Sequence, residues 1–136
     1  MQVRTLIERF WQAHSAGDQA GLRQVLAEDF TWTVVGRDCP VARTYHGWDG
    51  FLGELLGGLA AAFRPGTLRM ELRGIHADEQ QGTGVLHLLE SATAAATGRE
   101  LRLEIADIIK VRDGRIVEVR EILDLAEAAR AFGFPL

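Results

Sequence analysis

The segment that most constrains the fold runs from Leu101 to Asp124 and reads LRLEIADIIKVRDGRIVEVREILD. Apolar and polar residues alternate on both sides of its Arg-Asp-Gly tripeptide, which is the pattern of two half-buried strands joined by a tight turn. Each apolar strand face carries one carboxylate, Asp107 in the first strand and Glu121 in the second. The sequence therefore predicts a β-hairpin that holds two acids among apolar side chains.

The length of the turn decides whether these two acids share a face. A two-residue loop puts Asp107 opposite Arg120 and mixes apolar with charged positions. A three-residue loop, with Gly114 left-handed and forming a bulge, pairs Asp107 with Val119. Because a one-residue shift moves every side chain to the other face, we expect the three-residue loop. Asp107 and Glu121 are then diagonal neighbours, about 7–8 Å apart at the backbone.

Composition excludes several classes of function. The net charge of −4 and the absence of any Lys/Arg run exclude an electrostatic nucleic-acid site. The single cysteine, Cys39, excludes an internal disulfide and a multi-cysteine metal site. The longest apolar run, Leu55–Phe63, is too short to span a bilayer, and early charges interrupt any secretory apolar core. We expect a cytoplasmic protein that makes no membrane or nucleic-acid contact.

The remaining periodicities place helices before strands, which favours an α+β domain with helices over one face of an antiparallel sheet. If Thr97-Gly98 is a two-residue hairpin turn, Glu90 lies opposite Ile105 and joins the apolar face in line with Glu121. Phe30, Trp32 and Val34 alternate as one face of an earlier strand. The helices are predicted at 3–16, 19–27, 49–63 and 125–132, and the other strands at 30–34, 67–77 and 83–96.

This order of elements, the Ser15–Asp18 tetrapeptide SAGD and the Asp-Gly-Arg-Ile turn with Asp124 ten residues beyond Gly114 resemble the nuclear transport factor 2-like superfamily. The nearest branch is the SnoaL-like polyketide cyclases. The resemblance covers residues 1–136 as a single domain. It implies a cone-shaped, curved antiparallel sheet, or half barrel, with about three N-terminal helices packed over its concave face and a deep pocket. The superfamily is usually dimeric and includes enzymes and non-catalytic binders.

The resemblance assigns possible roles to individual acids. The cyclase acid/base lies in an R-D-x-x-D motif, which matches Arg120–Asp124 and places Glu121 at the catalytic position. Ketosteroid isomerase stabilises an oxyanion with an acid that matches Asp107. Its partner tyrosine and its base match Phe10 and Val34, which cannot perform those roles.

Limonene epoxide hydrolase provides a second comparison. Its two catalytic acids match Glu90 and Glu121, but its arginine matches Leu88. The residues that bind its water match Trp32 and Val34. Neither the isomerase nor the hydrolase machinery is therefore complete.

An acid on an apolar face must be paired, hydrated or functional. We therefore take Glu121, Asp107 and Glu90 as catalytic candidates, although structural hydrogen bonding is an alternative for each. His14 lies on the buried stripe of the first helix, which favours a core histidine over a pocket residue, and Tyr45 lies in a loop expected to rim the pocket. The four histidines lack HxxxH spacing, so we expect no metal site. The expected substrate-binding residues are Trp32, Phe10, His14, Leu88, Tyr45, Ile105 and Val119.

These observations favour a cofactor-independent isomerase or cyclase of lyase type that acts on a small apolar carbonyl compound by acid/base catalysis. Glu121 is the predicted proton shuttle, and a neutral Asp107 the hydrogen-bond donor to an enolate. One alternative is epoxide hydrolysis by Glu90 and Glu121. Another is a non-catalytic ligand-binding or dimeric scaffold protein. The outer sheet face is predicted to form a homodimer through Ala106, Ile108, Ile116 and Ile122.

Overall fold

A computed structural model describes residues 2–133. It has the expected α+β architecture: a curved, unclosed six-stranded sheet whose concave face is covered by helices. The third helical segment begins as a π-helix and continues as α3, where a single helix over 49–63 was predicted. The elements are α1 Val3–Ala16, α2 Gln19–Val25, β1 Leu26–Val34, β2 Thr44–His46, the π-helix Asp49–Leu56, α3 Gly57–Ala62, β3 Arg69–Asp78, β4 Thr83–Thr93, β5 Glu100–Arg112, β6 Arg115–Ile122 and α4 Leu125–Phe132.

The sheet is mixed, which corrects the expectation of a wholly antiparallel one. The strand order is β2-β1-β6-β5-β4-β3. Four of the five neighbouring pairs are antiparallel, and β1 runs parallel to β6. The three hairpins that link β3 to β6 reverse the chain three times, so β6 ends beside β1 and runs in the same direction.

Helix α1 packs over β3 and β4 through the apolar stripe that its sequence predicts. Gly17 ends this helix in the left-handed conformation, with φ of 67°, and Asp18 caps α2 by accepting a hydrogen bond from the Gly21 amide. Any side chain at Gly84 of β4 would collide with Ile7 of α1. The missing side chain at Gly84 therefore allows α1 to lie close against the sheet.

The β5–β6 turn has two residues, so the predicted three-residue loop is wrong. Arg112 pairs with Arg115, and both Asp113 and Gly114 have positive φ, of 53° and 75°. These are the backbone signs of a type I′ turn, which matches the right-handed twist of the flanking strands. The Asp-Gly dipeptide suits this turn because both residue types tolerate the left-handed region.

A bulge on β6 nevertheless keeps the two acids on one face. Val111 pairs with Ile116 whereas Lys110 pairs with Glu118, so Val117 is the extra residue. The bulge changes the register by one position and places Asp107 directly opposite Glu121. It also turns Ile116 into the core, where this side chain is fully buried, so Ile116 is not part of the outer face as predicted.

The β4–β5 register is also displaced from the prediction, by two residues. Glu90 pairs with Leu103 instead of Ile105, because residues 94–99 form a longer connection than the predicted Thr97-Gly98 turn. The Thr97 hydroxyl donates a hydrogen bond to the Ala131 carbonyl, which ties this connection to α4. A displacement by an even number leaves Glu90 on the concave face.

Strand β2 lies in the region that was predicted to be a loop. Tyr45 pairs with Trp32 of β1, is 2% exposed and donates its hydroxyl hydrogen bond to the Val41 carbonyl. It is therefore a packed strand residue and does not rim the pocket. None of the helices described between residues 2 and 133 has the length and apolar character needed to cross a membrane.

Candidate functional site

A cavity of about 240 Å³ lies between the concave sheet face and the third helical segment. Sheet residues supply its acids, whereas the π-helix and α3 supply a wall of leucines. Apart from His14, Gln19, Glu90 and Glu121, the side chains around it are apolar or aromatic. The lining residues are His14, Gly17, Gln19, Leu22, Trp32, Leu52, Leu55, Leu56, Leu59, Ala60, Phe63, Leu68, Met70, Glu90 and Glu121. We call this space the outer cavity.

A second space, of about 40 Å³, lies towards α4 and is called here the inner cavity. Five residues line both cavities, namely Leu55, Leu59, Phe63, Glu90 and Glu121. The two carboxyl groups therefore stand where the cavities meet. This is the arrangement expected for groups that contact the middle of a ligand.

Asp107 lies behind Glu121 and away from both cavities. Its side chain is fully buried, and neither carboxyl oxygen has a hydrogen-bond partner of good geometry among residues 2–133. Leu86 and Glu121 are its neighbours on the adjacent strands. Asp107 is thus placed to act on the Glu121 carboxyl group and not on a ligand.

The pKa values of Asp107 and Glu121 are both raised, but the interactions that contribute to the shift differ between the two acids. Burial raises the pKa of Asp107 well above its ordinary value, and the charge of Glu121 and hydrogen bonding to it raise it further. Burial also raises the pKa of Glu121, but hydrogen bonding from Asp107 and Trp32 opposes this effect. The Trp32 indole N–H is buried and has no partner of good geometry within the described part of the chain, so Glu121 approaches it without ideal alignment. Hydrogen bonding thus opposes the rise for Glu121 and adds to it for Asp107, and the two groups titrate as a pair.

Glu90 is the third acid of the concave face. Burial, and then the charge of Glu121, raise its pKa from 4.5 to about 7. Near neutral pH both its protonated and its ionised forms are therefore populated. Glu90 can donate a hydrogen bond when protonated and accept one when ionised, as general acid/base chemistry requires.

His14 lines the outer cavity as a neutral ring. Burial lowers the pKa of its imidazole to about 4. The ring stacks on Phe10 with centroids 5.3 Å apart and lies 6.0 Å from Trp32. Its position in the cavity wall reconciles the two sequence interpretations, because His14 packs against the core and also faces the ligand space.

The structure brings together some of the predicted binding residues and separates others. Trp32 and His14 line the outer cavity, and Ile105 lines the inner one. Four others are packed in the core away from either cavity: Phe10, Leu88, Tyr45 and Val119. These four side chains support the site from behind.

The leucine wall of the third helical segment was missed. Its signal is present in the sequence, because Leu52, Leu55, Leu56, Leu59 and Phe63 follow the i, i+3, i+4, i+7, i+11 spacing of one helix face. The spacing identifies an apolar helix face, but the role of that face as a cavity wall depends on the packing of this segment over the sheet. Across residues 2–133, no three or more His, Cys, Asp or Glu side chains form a cluster that could hold a metal ion.

The raised pKa of Glu90 predicts a pH-dependent effect on stability. The unfolded chain ionises Glu90 near pH 4.5 and the folded chain only near pH 7, so the folded state loses stability between these values. We expect Glu90→Gln to be more stable than wild type by about 1–3 kcal/mol at pH 8 and to match it at pH 4. Urea unfolding at both pH values measures this difference, with Glu104→Gln on the exposed side of β5 as the control. A difference that is the same at both pH values contradicts the expectation.

Comparison with known proteins agrees with this architecture. The SnoaL-like domain family model matches residues 7–119. No curated protein sequence matches the chain significantly. Bal32a, from a soil-derived mobile gene cassette, is 20% identical, with a TM-score of 0.83 over 96% of each chain. An NTF2-like protein of Burkholderia thailandensis is 21% identical, with a TM-score of 0.85 over 96% of this chain and 97% of that one.

A third solved structure is IdmH, a candidate polyketide cyclase of Streptomyces antibioticus. It is 23% identical, with a TM-score of 0.72 over 98% of this chain and 99% of IdmH. At these identities the structural likeness establishes the fold, and function has to be argued from the site. The match to the family model spans most of the chain, and the chain therefore belongs to the SnoaL-like domain family, with the nuclear transport factor 2-like fold.

Proposed function

We propose that this protein is a cofactor-independent isomerase or cyclase that moves a proton at a carbon next to the carbonyl group of a small apolar compound. The observation that carries the proposal is the placement of Glu121. Its carboxyl group lines an otherwise largely apolar cavity and stands opposite a second buried acid, Asp107, whose pKa is raised well above its ordinary value. A carboxylate held in this way is a general base that needs no metal or organic cofactor.

The proposed reaction uses Glu121 as the base and Glu90 as a hydrogen-bond donor. Ionised Glu121 takes a proton from the α-carbon, and the electron pair of the broken C–H bond moves onto the carbonyl oxygen as an enolate. Protonated Glu90 donates a hydrogen bond to that oxygen. Glu121 then returns the proton to the same carbon, which exchanges it, or to another carbon, which shifts a double bond. In ring closure the enolate carbon instead forms a bond to a second carbonyl carbon of the same molecule, and Glu121 gives the proton to the alkoxide oxygen left there. The polyketide cyclase and isomerase names attached to IdmH and to a Rhodopseudomonas palustris neighbour are consistent with this class of chemistry.

The role of Asp107 differs from the one predicted from the sequence. Because Asp107 does not line either cavity, it is a positioning residue that donates to Glu121 and not to the enolate. This assignment leaves Glu90 as the candidate donor to the developing oxyanion. It also explains the need for a buried acid that stays neutral.

The direct test follows proton exchange with propiophenone, a small apolar ketone, in D₂O. Proton NMR measures the loss of its α-methylene signal with and without the protein. We expect exchange well above the buffer rate. Binding of the ketone without any enhancement of exchange would favour the non-catalytic ligand-binding alternative.

The role of Asp107 can be tested through the pH dependence of exchange. Asp107→Leu removes the donor that lowers the pKa of Glu121, so its pKa rises and the ascending limb of the pH–rate profile moves to higher pH. Asp107→Asn retains an N–H donor and should keep the limb close to its wild-type position. An identical shift in both variants contradicts the proposed hydrogen bond.

Epoxide hydrolysis remains a second candidate because Glu90 and Glu121 line both cavities together. Two carboxyl groups on one ligand space can serve as acid and base around a water molecule. Formation of a diol from cyclohexene oxide, without proton exchange in ketones, would favour this candidate.

We also propose that the outer sheet face forms a homodimer. Ile108 and Ile122 are 40% and 45% exposed on this face, and no helix covers them. Ile108→Glu is expected to shift a dimer to a monomer in sedimentation velocity at micromolar concentration, because it places a charge in the apolar contact. Leu72→Glu is the control, since Leu72 is equally exposed but pairs with the inward-facing Leu88. A wild-type protein that sediments as a monomer contradicts the proposal.

A further inference from the structure

The inner cavity is suited to a part of the ligand that the outer cavity does not hold. Apart from the two shared acids, its walls are apolar side chains, including Leu101, Leu103 and Ile105 of β5. A polar group placed among them would lose its hydrogen bonds with water and gain no new partner. The inner cavity therefore suits a hydrocarbon group.

Its volume limits the size of that group. A cavity needs roughly 10–15 Å³ of this kind of volume to hold one water-sized group. The 40 Å³ of the inner cavity therefore accommodates about three or four water-sized groups. Methylene and methyl groups are larger than water, so this space corresponds to an alkyl chain of about two or three carbons. The outer cavity, at 240 Å³, lies just below the range of about 300–1,000 Å³ for drug-sized ligands and suits a single ring.

The two cavities meet at the five lining residues that they share. Leu55, Leu59 and Phe63 line both spaces, together with Glu90 and Glu121. Leu59 is only half-buried and belongs to α3, a helix that contributes no fully buried residue. A rotamer change of Leu59 is therefore less restricted than one in the core, and Leu59 lines both cavities together with the two acids.

We propose that the substrate spans both cavities, with a ring in the outer cavity, an unbranched alkyl chain of two or three carbons in the inner cavity and a carbonyl group at their junction. This inference rests on the proposed function, because it uses Glu90 and Glu121 as the groups that face the carbonyl. It adds a substrate class, a ring-bearing ketone with a short alkyl arm. It also makes the inner cavity the determinant of the length of that arm.

Ala128 is the residue through which this length preference can be altered. It lies on α4, is 2% exposed and lines the inner cavity. Ala128→Leu should fill the inner cavity with side-chain carbon while leaving the outer cavity open. Ala126 lies two residues earlier in the same helix and is exposed, so Ala126→Leu is the matched control.

The experiment measures the affinity of four phenyl ketones by isothermal titration calorimetry: acetophenone, propiophenone, butyrophenone and valerophenone. For wild type and Ala126→Leu we expect affinity to rise about fourfold with each added methylene up to butyrophenone, as for transfer of one methylene out of water, and to fall at valerophenone. For Ala128→Leu we expect acetophenone to bind as in wild type and the gain with chain length to disappear.

A second variant keeps the inference testable if Ala128→Leu does not fold. Leu123 also lines the inner cavity, so Leu123→Ala enlarges the space and should move the optimum to valerophenone or a longer chain. Circular dichroism establishes that each variant is folded. Affinity that does not depend on chain length in wild type, an optimum unmoved by Leu123→Ala, or no binding of any phenyl ketone at millimolar concentration overturns the inference. Chain-length-dependent binding without α-proton exchange would leave the inference standing and remove the proposed catalysis.

Discussion

Glu121→Gln should lower the rate of α-proton exchange by about 10²-fold or more, because the amide keeps the shape of the side chain but cannot accept and return a proton. Binding of propiophenone should remain close to that of wild type, since the walls of the cavity do not change. NMR exchange rates and calorimetric affinities measured on the same preparation separate these two effects.

The matched control for this prediction is Glu118→Gln. Glu118 belongs to the same strand but points away from Glu121, because the two residues are three positions apart in β6 and side chains alternate. Its substitution should leave exchange and binding unchanged. Equal rates for Glu121→Gln and wild type would exclude Glu121 as the base, and the proposed reaction with it.

Phe51→Ala should destabilise the fold by about 3–5 kcal/mol, the range for removing a fully buried phenylalanine. The Phe51 side chain has no exposed surface, and its ring lies 4.7 Å from that of Trp32 and 5.5 Å from that of Phe30. The side chain joins the π-helix to the sheet immediately beside the cavity. Its loss therefore removes packing and also the support that holds Trp32 near Glu121. Urea denaturation measures the free energy of unfolding.

Leu56→Ala provides the comparison within the same π-helix. Leu56 is half-buried and lines the outer cavity, so its truncation removes fewer contacts and should reduce stability clearly less than Phe51→Ala. Equal effects of the two substitutions would mean that Phe51 does not anchor the π-helix. The π-helix would then owe its position to the leucine face.

The sequence of residues 101–124 was sufficient to predict the hairpin and the shared face of its two acids. Strict alternation identifies which side chains of a strand share a face. A displacement of the pairing register by an even number of residues leaves those side chains on the same face of the sheet. For this reason Asp107, Glu121 and Glu90 are all found on the concave face although both predicted registers were wrong. The helix caps at Gly17, Asp18 and Asp124 depend on local hydrogen bonds and backbone conformation, so short stretches of sequence are enough to specify them.

Tertiary structure alone decided which of these residues reach the ligand space. Asp107 and Glu121 carry similar local signals, yet the bulge at Val117 and the packing of the third helical segment leave one behind the cavity and the other in its wall. The same packing placed Tyr45 in a strand and turned a leucine stripe into a cavity wall. The side chains that share a strand face are determined by alternation along the chain. A cavity, in contrast, depends on how elements distant in the sequence pack against each other. The sequence by itself therefore determined the fold and the face that carries the acids, and the packing of helices on the sheet determined the site.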